Sequence, residues 1–258
     1  MFSHNISPII FKSGNIQVTY YALVYLIGFL LVLFLFLKYS KEERINIKEN
    51  QAYDLTILLV LGTLVGARIF HILFWNFSYF SSNPDKILRI WEGGLSFHGG
   101  LVGIFLATWF YCKHKKINFW KIVDLLALLG ILMGVLLRIA NFINQEIVGT
   151  ITNASWCFNF KYNEGCRHPV QLYAAAGRLI FFSLLLGIKQ KLKNYKPGFI
   201  FLISIFGLGL GRFFLDFIRE DVIHFGLKTG QWFSLAMIVI SLPILINYYR
   251  PDLKRIFE

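Results

Sequence analysis

"LLALLGILMGVLLRIANFINQE" (residues 125–146) contains both the fold signal and the functional puzzle of this sequence. Residues 125–136 carry no polar side chain, which is typical of a helix surrounded by lipid. The end of the same stretch is polar and carries Arg138, Asn141, Asn144, Gln145 and Glu146. A charged side chain at the centre of a bilayer is disfavoured by roughly 2.5–3.5 kcal/mol. The stretch therefore predicts a membrane-spanning helix whose polar end has partners that offset this cost.

Long apolar stretches recur along the whole chain. The 258 residues are 56% hydrophobic and 16% charged, as in integral membrane proteins. Segments of about the 17–25 residues needed to cross ~30 Å of hydrocarbon lie at 17–39, 53–76, 96–112, 120–142, 169–188, 198–217 and 231–248. We expect an all-α polytopic membrane protein with about seven transmembrane helices. It would form a single integral membrane domain over residues 1–258, with a small extracytoplasmic head at about 146–167 and an interfacial N-terminal arm.

Basic residues are distributed unevenly between the two sets of predicted loops. Fifteen Lys and Arg follow spans one, three and five or lie near the C-terminus, whereas the loops on the opposite side contain seven. Cytoplasmic loops carry the excess of Lys and Arg in membrane proteins. We therefore expect a multi-pass protein of the cell (cytoplasmic) membrane with its N-terminus outside and its C-terminus inside. The net charge of +12 follows mainly from this asymmetry and does not indicate a nucleic-acid partner.

The other basic residues lie inside predicted spans and are Arg68, Arg138, Arg178 and Arg212. Arg138 shares one helix face with Asn141 and Gln145, at spacings i, i+3 and i+7. Asn144 lies off that face and is expected to bond to the fraying helix end. Arg68 and Arg178 have the alternative of a structural role, as has His71, three residues after Arg68.

Span six carries a second polar stripe, with Arg212, Asp216 and Arg219 at i, i+4 and i+7. Asp216 would keep Arg212 ionised and oriented, while Arg219, like His168 before span five, has the alternative of lying in the headgroup layer without a functional role. Guanidinium groups bind phosphate bidentately and stay protonated. Their convergence therefore predicts an anion site, and the anion most available at that depth is a phospholipid headgroup.

Glycines surround the one histidine at the start of span three, in "WEGGLSFHGGLVG" (residues 91–103). Glycine disfavours a helix by about 1 kcal/mol relative to alanine, and irregular backbone at membrane depth occurs where it is buried in protein or lines a wet cavity. We expect His98 to point into a cavity from a broken helix start. The alternative is a packed histidine that only donates a structural hydrogen bond.

The head contains Cys157 and Cys166. An oxidising compartment would permit a disulfide between them, and two free thiols are the open alternative.

Several ordered blocks resemble the prolipoprotein diacylglyceryl transferase family. "LRIANFINQEIVG" (137–149) is similar to its Arg-x-x-Asn-Phe-x-Asn-x-Glu-x-x-Gly signature, and the block at 91–103 is similar to another of its motifs. "RHPVQLY" (167–173), "GRFFLDFIRE" (211–220), "GQWFSLAM" (230–237) and the arm and first span at 7–29 follow in matching order. The likeness covers essentially the whole chain.

The resemblance implies a seven-span enzyme that transfers the diacylglyceryl group of phosphatidylglycerol, or a similar anionic phospholipid, to the lipobox cysteine of a prolipoprotein signal peptide. A thioether forms and glycerol phosphate leaves. The family's functional positions correspond to Tyr21, His98, Arg138, Asn141, Glu146, Gly149, Arg212 and Asp216, the last in place of a usual Glu. The matching blocks also predict substrate-binding roles for Gln171, Arg219 and Gly99. His98 would accept the thiol proton, while Arg138 and Arg212 would stabilise the departing phosphate.

The sequence departs from the family pattern at Leu137, Ala174 and Leu208, which stand where the family has Gly, Glu and Tyr. A homologue with an altered donor lipid is therefore one alternative. An intramembrane anion or lipid transporter is another, although the sequence shows no internal repeat. A retinal-type receptor would need a lysine within 231–248, and an alcohol phosphotransferase would need clustered intramembrane aspartates; the sequence has neither. No metal motif is present, and we expect no cofactor.

Overall fold

The computed structural model describes residues 2–13, 16–41, 45 and 47–258. Its packing divides the chain into two compact units. The first contains Met1–Gly28 and Asp124–Glu258, and the second contains Phe29–Val123. Whether the chain behaves as the single domain expected from the sequence stays a prediction.

Helices dominate both units. In chain order they are α1 (Tyr20–Lys41), α2 (Glu49–Phe74), α3 (Phe77–Ser82), α4 (Phe97–Lys115), α5 (Phe119–Ile143), α6 (Val170–Lys191), α7 (Phe199–Leu215), α8 (Thr229–Tyr248) and α9 (Arg250–Phe257). Short 3-10 turns lie at Pro84–Lys86, Ile90–Glu92 and Asp216–Ile218. Among the described residues, six helices are long and apolar enough to cross a membrane, namely α1, α2, α5, α6, α7 with its 3-10 turn, and α8.

The third predicted span forms helix α4 but does not belong to that set of six. Its 19 residues include three glycines near the N-terminus and Lys113, His114 and Lys115 in the last turn. These residues lower the hydropathy of the helix although its backbone is regular. The fold is that of a multi-pass membrane protein, while the count of seven spans is not confirmed.

The surface of the long helices is apolar where it faces away from the protein. Large side chains such as Leu30, Phe34, Leu61, Ile180 and Val239 are each more than half exposed. Many large apolar side chains exposed along long apolar helices fit a surrounding of acyl chains. This pattern is what the apolar stretches of the sequence predict.

In the second unit, α2 and α4 approach each other through glycines. Gly62 and Gly66 on α2 face Gly99 and Gly103 on α4, each pair four residues apart. A Cβ atom on Gly99 would lie 2.3 Å from the carbonyl oxygen of Gly66. Small residues at this spacing let two membrane helices pack backbone to backbone. The expected broken helix start is therefore wrong at Gly99 and Gly100, which lie inside a regular helix that begins at Phe97.

In the first unit, Asp124 of α5 holds the start of α7. Its buried carboxylate accepts hydrogen bonds from the backbone N–H groups of Gly198 and Phe201, both at 2.8 Å. These are N–H groups that a helix start leaves without an intrahelical partner. Leu128, Leu185, Phe199 and Leu245 pack nearby in one hydrophobic cluster contributed by four helices.

The arm and the head are joined by a small sheet in the order β1, β4, β5, formed by Phe2–Ser3, Phe158–Asn159 and Cys166–Arg167. Strand β1 pairs in parallel with β4. The buried ring of His4 lies 4.7 Å from that of Phe142, between centroids. The arm continues as an antiparallel hairpin, β2 (Ile9–Ser13) and β3 (Ile16–Thr19), and a second hairpin, β6 (Ile223–His224) and β7 (Leu227–Lys228), precedes α8.

Cys157, the residue before β4, and Cys166 of β5 form a disulfide, so the head is covalently closed.

Candidate active site

Three polar side chains meet where α1 begins and α5 ends. The Asn141 amide donates to the Tyr21 hydroxyl, which in turn donates to Oε1 of Glu146. The amide of Asn141 also lies 3.2 Å from the same carboxylate oxygen, and the amide of Asn144 lies 3.3 Å from it. This network brings together Tyr21, Asn141 and Glu146, three of the positions that the resemblance predicts to be functional.

Arg138 lies on α5, one turn before Asn141. Its Nη1 donates to Oδ1 of Asn141 at 3.3 Å, so the amide bridges the guanidinium and the Tyr21 hydroxyl. Among the described residues Arg138 forms no ion pair with a carboxylate. A guanidinium has five N–H donors in a fixed fork, and most of those of Arg138 remain available to an anion.

The predicted stripe on α5 ends earlier than the sequence suggests. The helix stops at Ile143, and Gln145 has a left-handed backbone with φ of 59°. Its side-chain oxygen accepts a hydrogen bond from the backbone N–H of Lys161 at 2.6 Å, within the head. The prediction that Gln145 shares the face of Arg138 and Asn141 is therefore wrong, because helical periodicity no longer holds beyond residue 143.

The second polar group surrounds Asp216, whose side chain is only 2% exposed. Its carboxylate lies 3.4 Å from Nε of Arg212 and 3.6 Å from Nη1 of Arg219. Gly230 of α8 makes room for it, because a Cβ atom there would lie 2.0 Å from Oδ2 of Asp216. Asp216 is thus a buried carboxylate shared by two guanidinium groups. This agrees with the prediction from the sequence, in which Asp216 stands between Arg212 and Arg219.

Arg219 reaches this carboxylate from outside the helix. Helix α7 ends at Leu215, a 3-10 turn follows, and Arg219 itself is extended with φ −90° and ψ 143°. Its backbone forms an isolated antiparallel bridge with Gly149. The prediction of one continuous helical stripe through Arg219 is wrong, although Arg212 and Arg219 still converge on Asp216. The ammonium group of Lys228 donates to the carbonyls of Asp216 and Phe217, and so fixes the turn.

The two polar groups are close enough to interact electrostatically. Arg138 experiences the charges of Arg219, Arg212 and Asp216, and it also interacts with Tyr21. Arg178 of α6 experiences the charges of Arg138 and Arg212. Four guanidinium groups therefore accompany three carboxylates at this end of the first unit, those of Asp216, Glu146 and Asp221, the last of which lies 3.4 Å from Nη2 of Arg219. The excess is positive, and an anion would offset it.

Gly149 and Gln171 hold the backbone around the site. Gly149 donates its N–H to the carbonyl of His168 at 3.1 Å, and a Cβ atom on Gly149 would lie 2.5 Å from that oxygen. The fully buried Gln171 donates to the carbonyl of Glu146 at 2.7 Å. These contacts account for both residues through positioning of the segment that carries Glu146. Their predicted contact with a substrate stays a prediction.

His98 lies in the second unit, in the first turn of α4, which is capped by Ser96. It lines a cavity of about 440 Å³ together with His71, Trp75 and Asn76. His71 Nε2 lies 3.0 Å from the amide nitrogen of Asn76. A cavity at His98 agrees with the prediction from its surroundings, although the helix start is regular. Gly99 packs against α2, which explains this glycine without a substrate.

Arg68, also in the second unit, has a structural role. Its guanidinium donates to five backbone carbonyls and stacks 4.7 Å from the ring centre of Phe80; the acceptors belong to Lys86, Ile87, Arg89, Gly93 and Gly94. All of these acceptors lie in the connection between α3 and α4. Of the two alternatives for Arg68, a functional and a structural role, the contacts support the structural one, because backbone carbonyls occupy the N–H donors of its guanidinium.

Two buried charges carry signals that the sequence analysis does not use: Arg167 near the site, and Asp124 near the opposite end of α5. Arg167 lies in a predicted loop, yet it is buried, donates to the carbonyl of Gly149 at 3.0 Å and pairs with Glu220. Asp124 is the one acid within the apolar run 122–137, and this isolation is the sequence signal for its buried role. An unpaired carboxylate is rare in such a run and needs donors, which the start of α7 supplies.

The fold and these contacts define a multi-pass α-helical membrane protein with a cluster of guanidinium groups at one end of its spans. Residues 8–247 match the family model described as prolipoprotein diacylglyceryl transferase. The chain is 36% identical over 253 residues to the phosphatidylglycerol--prolipoprotein diacylglyceryl transferase of Brucella anthropi, covering 94% of this chain and 89% of that protein. It is 38% identical over 246 residues to the protein of the same name from Pasteurella multocida, covering 93% and 89%. The protein of that name from Ehrlichia ruminantium strain Gardel is 36% identical over 255 residues, covering 93% and 96%. The chain belongs to the prolipoprotein diacylglyceryl transferase family.

Proposed function

We propose that this protein transfers the diacylglyceryl group of phosphatidylglycerol to the cysteine thiol of a prolipoprotein, within the lipobox of its signal peptide. The observation that carries the proposal is the excess of guanidinium over carboxylate groups at one end of the spans, in a chain of this family. A phosphodiester headgroup at the membrane interface carries the charge that the excess requires. The enzyme would lie in the cell membrane with its N-terminus and its head outside, where secreted precursors emerge.

The reaction balances without a cofactor. The thiolate sulfur forms a bond to the glycerol carbon that bears the phosphate, and the bond between that carbon and the ester oxygen breaks. The electron pair leaves with the oxygen as glycerol phosphate. A thiol is a weaker nucleophile than a thiolate, so a base must accept the thiol proton before the sulfur attacks. We assign proton acceptance to His98 on the resemblance of residues 91–103 to the family.

Phosphate binding is assigned to Arg138 and Arg212 on their contacts. Arg138 has a neutral amide as its hydrogen-bond partner, and Arg212 is oriented by Asp216. Both guanidinium groups are held before substrate arrives, so little reorganisation accompanies the growth of negative charge on the phosphate. Tyr21, Asn141 and Glu146 would position Arg138 and the lipid headgroup, because they form one network with Arg138.

The test uses the purified protein in nanodiscs with phosphatidylglycerol and a lipobox peptide, read by mass for a diacylglyceryl adduct on cysteine. Arg138→Lys keeps the charge and loses the bidentate fork, so we expect transfer to fall roughly 100-fold with normal membrane insertion. Arg255→Lys is the matched control, because the Arg255 guanidinium likewise donates a hydrogen bond, to the carbonyl of Asn194, but lies on α9. Absence of the adduct with wild-type protein would overturn the function, and full activity of Arg138→Lys would overturn the role of Arg138.

A further inference from the structure

Arg178 is an intramembrane arginine to which the proposed chemistry so far gives no role. It lies in the third turn of α6, about 12 Å along the helix from Val170 at 1.5 Å per residue. Its Nη1 donates to the carbonyl of Gly134 on α5 at 3.1 Å. Its Cδ would lie 3.3 Å from a Cβ atom on Gly134, so the glycine gives the side chain its path. The guanidinium thus lies beside α5, one turn from Arg138.

Charge pairing around the site leaves Arg178 uncompensated. Asp216 is shared by Arg212 and Arg219, and Asp221 pairs with Arg219 as well. Glu146 accepts hydrogen bonds from Tyr21 and two amides. Among the described residues, neither Arg178 nor Arg138 forms an ion pair, and Arg178 experiences the positive charges of Arg138 and Arg212. Two guanidinium groups at this depth without a carboxylate partner require negative charge from elsewhere.

The proposed reaction produces that negative charge in two stages. A phosphodiester in the bound lipid carries one negative charge. When the carbon–oxygen bond breaks, the electron pair passes to the phosphate, which becomes a monoester with a second negative charge above its second pKa of about 6. Arg138 can match the single charge of the lipid, but the charge of Arg212 is partly neutralised by Asp216, so the dianionic product needs a further guanidinium.

We propose that Arg178 is a further phosphate-binding residue, which takes up the second negative charge as glycerol phosphate leaves. This inference rests on the proposed function and deepens it. Arg178 would contribute little to binding of the diester and much to the departure of the monoester. An interaction that strengthens in the transition state raises kcat rather than lowering KM.

The rival explanation is that Arg178 only ties α6 to α5 through the Gly134 carbonyl. A clamp between helices would affect thermal stability and lower all activities together. A phosphate-binding residue would instead affect recognition of the dianion in particular. Inhibition by glycerol 1-phosphate separates the two, because its charge changes from one to two as the pH rises through about 6.

The experiment measures kcat, KM and inhibition by glycerol 1-phosphate from pH 5 to pH 8 for the wild type, Arg178→Gln and Arg178→Lys in nanodiscs. We expect inhibition of the wild type to strengthen as the pH rises through about 6. In Arg178→Gln this dependence should flatten, with kcat falling roughly 10- to 100-fold and KM changing less than about threefold. Arg178→Lys should recover part of the dependence. Arg255→Gln serves as the control that removes a guanidinium bonded to a carbonyl elsewhere.

The outcomes separate this inference from the proposed function. No transfer by the wild type would remove the function itself. An active wild type whose inhibition keeps the same pH dependence in Arg178→Gln would overturn the inference, as would kcat and KM that change only with thermal stability. If Arg178→Gln does not fold, the inference is tested with Arg178→Lys. A pH dependence identical to that of the wild type, with unchanged kcat, would show that the bidentate fork of the Arg178 guanidinium does not bind the phosphate.

Discussion

Replacement of Asp216 by asparagine tests how the site holds its arginines. Asparagine preserves the volume that Gly230 accommodates and removes the charge shared by Arg212 and Arg219. The carboxylate is 2% exposed, so the loss cannot be compensated by solvent at that atom. The two arginines differ in their surroundings, and this difference fixes the size of each effect.

The side chain of Arg219 is 19% exposed, whereas that of Arg212 is 37% exposed. Breaking a fully buried pair destabilises a protein by about 3–5 kcal/mol, and an exposed pair contributes about 0.2–1 kcal/mol. We therefore expect the Asp216–Arg219 pair to contribute about 2 kcal/mol. The Asp216–Arg212 pair should contribute less than about 1 kcal/mol, because water screens Arg212. Asp216→Asn should lower the free energy of unfolding by about 3 kcal/mol.

Double-mutant cycles measure the coupling energy of each ion pair. The variants are Asp216→Asn, Arg212→Gln, Arg219→Gln and the two doubles with Asp216→Asn, unfolded at equilibrium in mixed micelles. We expect a coupling energy of about 2 kcal/mol for residue 219 and of less than about 1 kcal/mol for residue 212. Arg212→Gln should impair transfer more than stability, because Asp216 keeps Arg219 as its partner. Strictly additive losses for Asp216 and Arg219 would refute the pairing, and a larger coupling for Arg212 would refute the screening argument.

Three further predictions follow from other contacts. Gly103→Ala should destabilise the protein by about 1–3 kcal/mol or more, because the new Cβ atom would lie 1.9 Å from the carbonyl oxygen of Gly62; Gly130→Ala, which enters open space, should be neutral in the same unfolding assay. Cys157→Ser should lower the free energy of unfolding by about 2–3 kcal/mol, whereas the unreduced wild type should resist alkylation in the head; two thiols alkylated without reductant would contradict the disulfide. Burial lowers the pKa of His4 from its usual 6.5, so His4 binds a proton more readily in the unfolded chain than in the folded protein. The contribution of His4 to the free energy of unfolding should therefore be full above about pH 6.5 and decline below it. His4→Phe should remove that part of the decline. An unchanged pH profile in the His4 variant would show that another group titrates.

The spans were predictable because hydropathy reports the solvent around a helix. The polar end of α5 was predictable for the same reason, since Arg138 and Asn141 stand out against lipid. Helix periodicity failed where the helices ended. Gln145 turns away at a left-handed residue, and Arg219 follows a 3-10 turn, so neither remains on the predicted stripe. Helix ends are set by local contacts in the folded protein, such as the bond between Gln145 and Lys161.

Other features required knowledge of which segments meet. The sequence predicts that Gly99 belongs to a broken helix start near His98, and only the presence of Gly66 opposite it shows a helix contact. Arg68 could not be distinguished from a ligand-binding arginine until its five carbonyl partners were known. The buried Asp124 became interpretable only with the start of α7 beside it. In each case the partner lies far away in the sequence, and composition carries no information about it.

The parallel pairing of Phe2 with Phe158 has a consequence for the order of synthesis. More than 150 residues separate the two strands, and ribosomes add roughly 5–20 residues per second. The first strand therefore waits on the order of 10–30 s before its partner exists, while several spans enter the bilayer. During that interval its backbone groups and the aromatic ring of Phe2 have no sheet to join. A fusion placed directly before Phe2 would remain attached to this unpaired strand until the head is synthesised and the sheet forms. We therefore expect a tag at that end to slow folding more than a tag that follows Glu258.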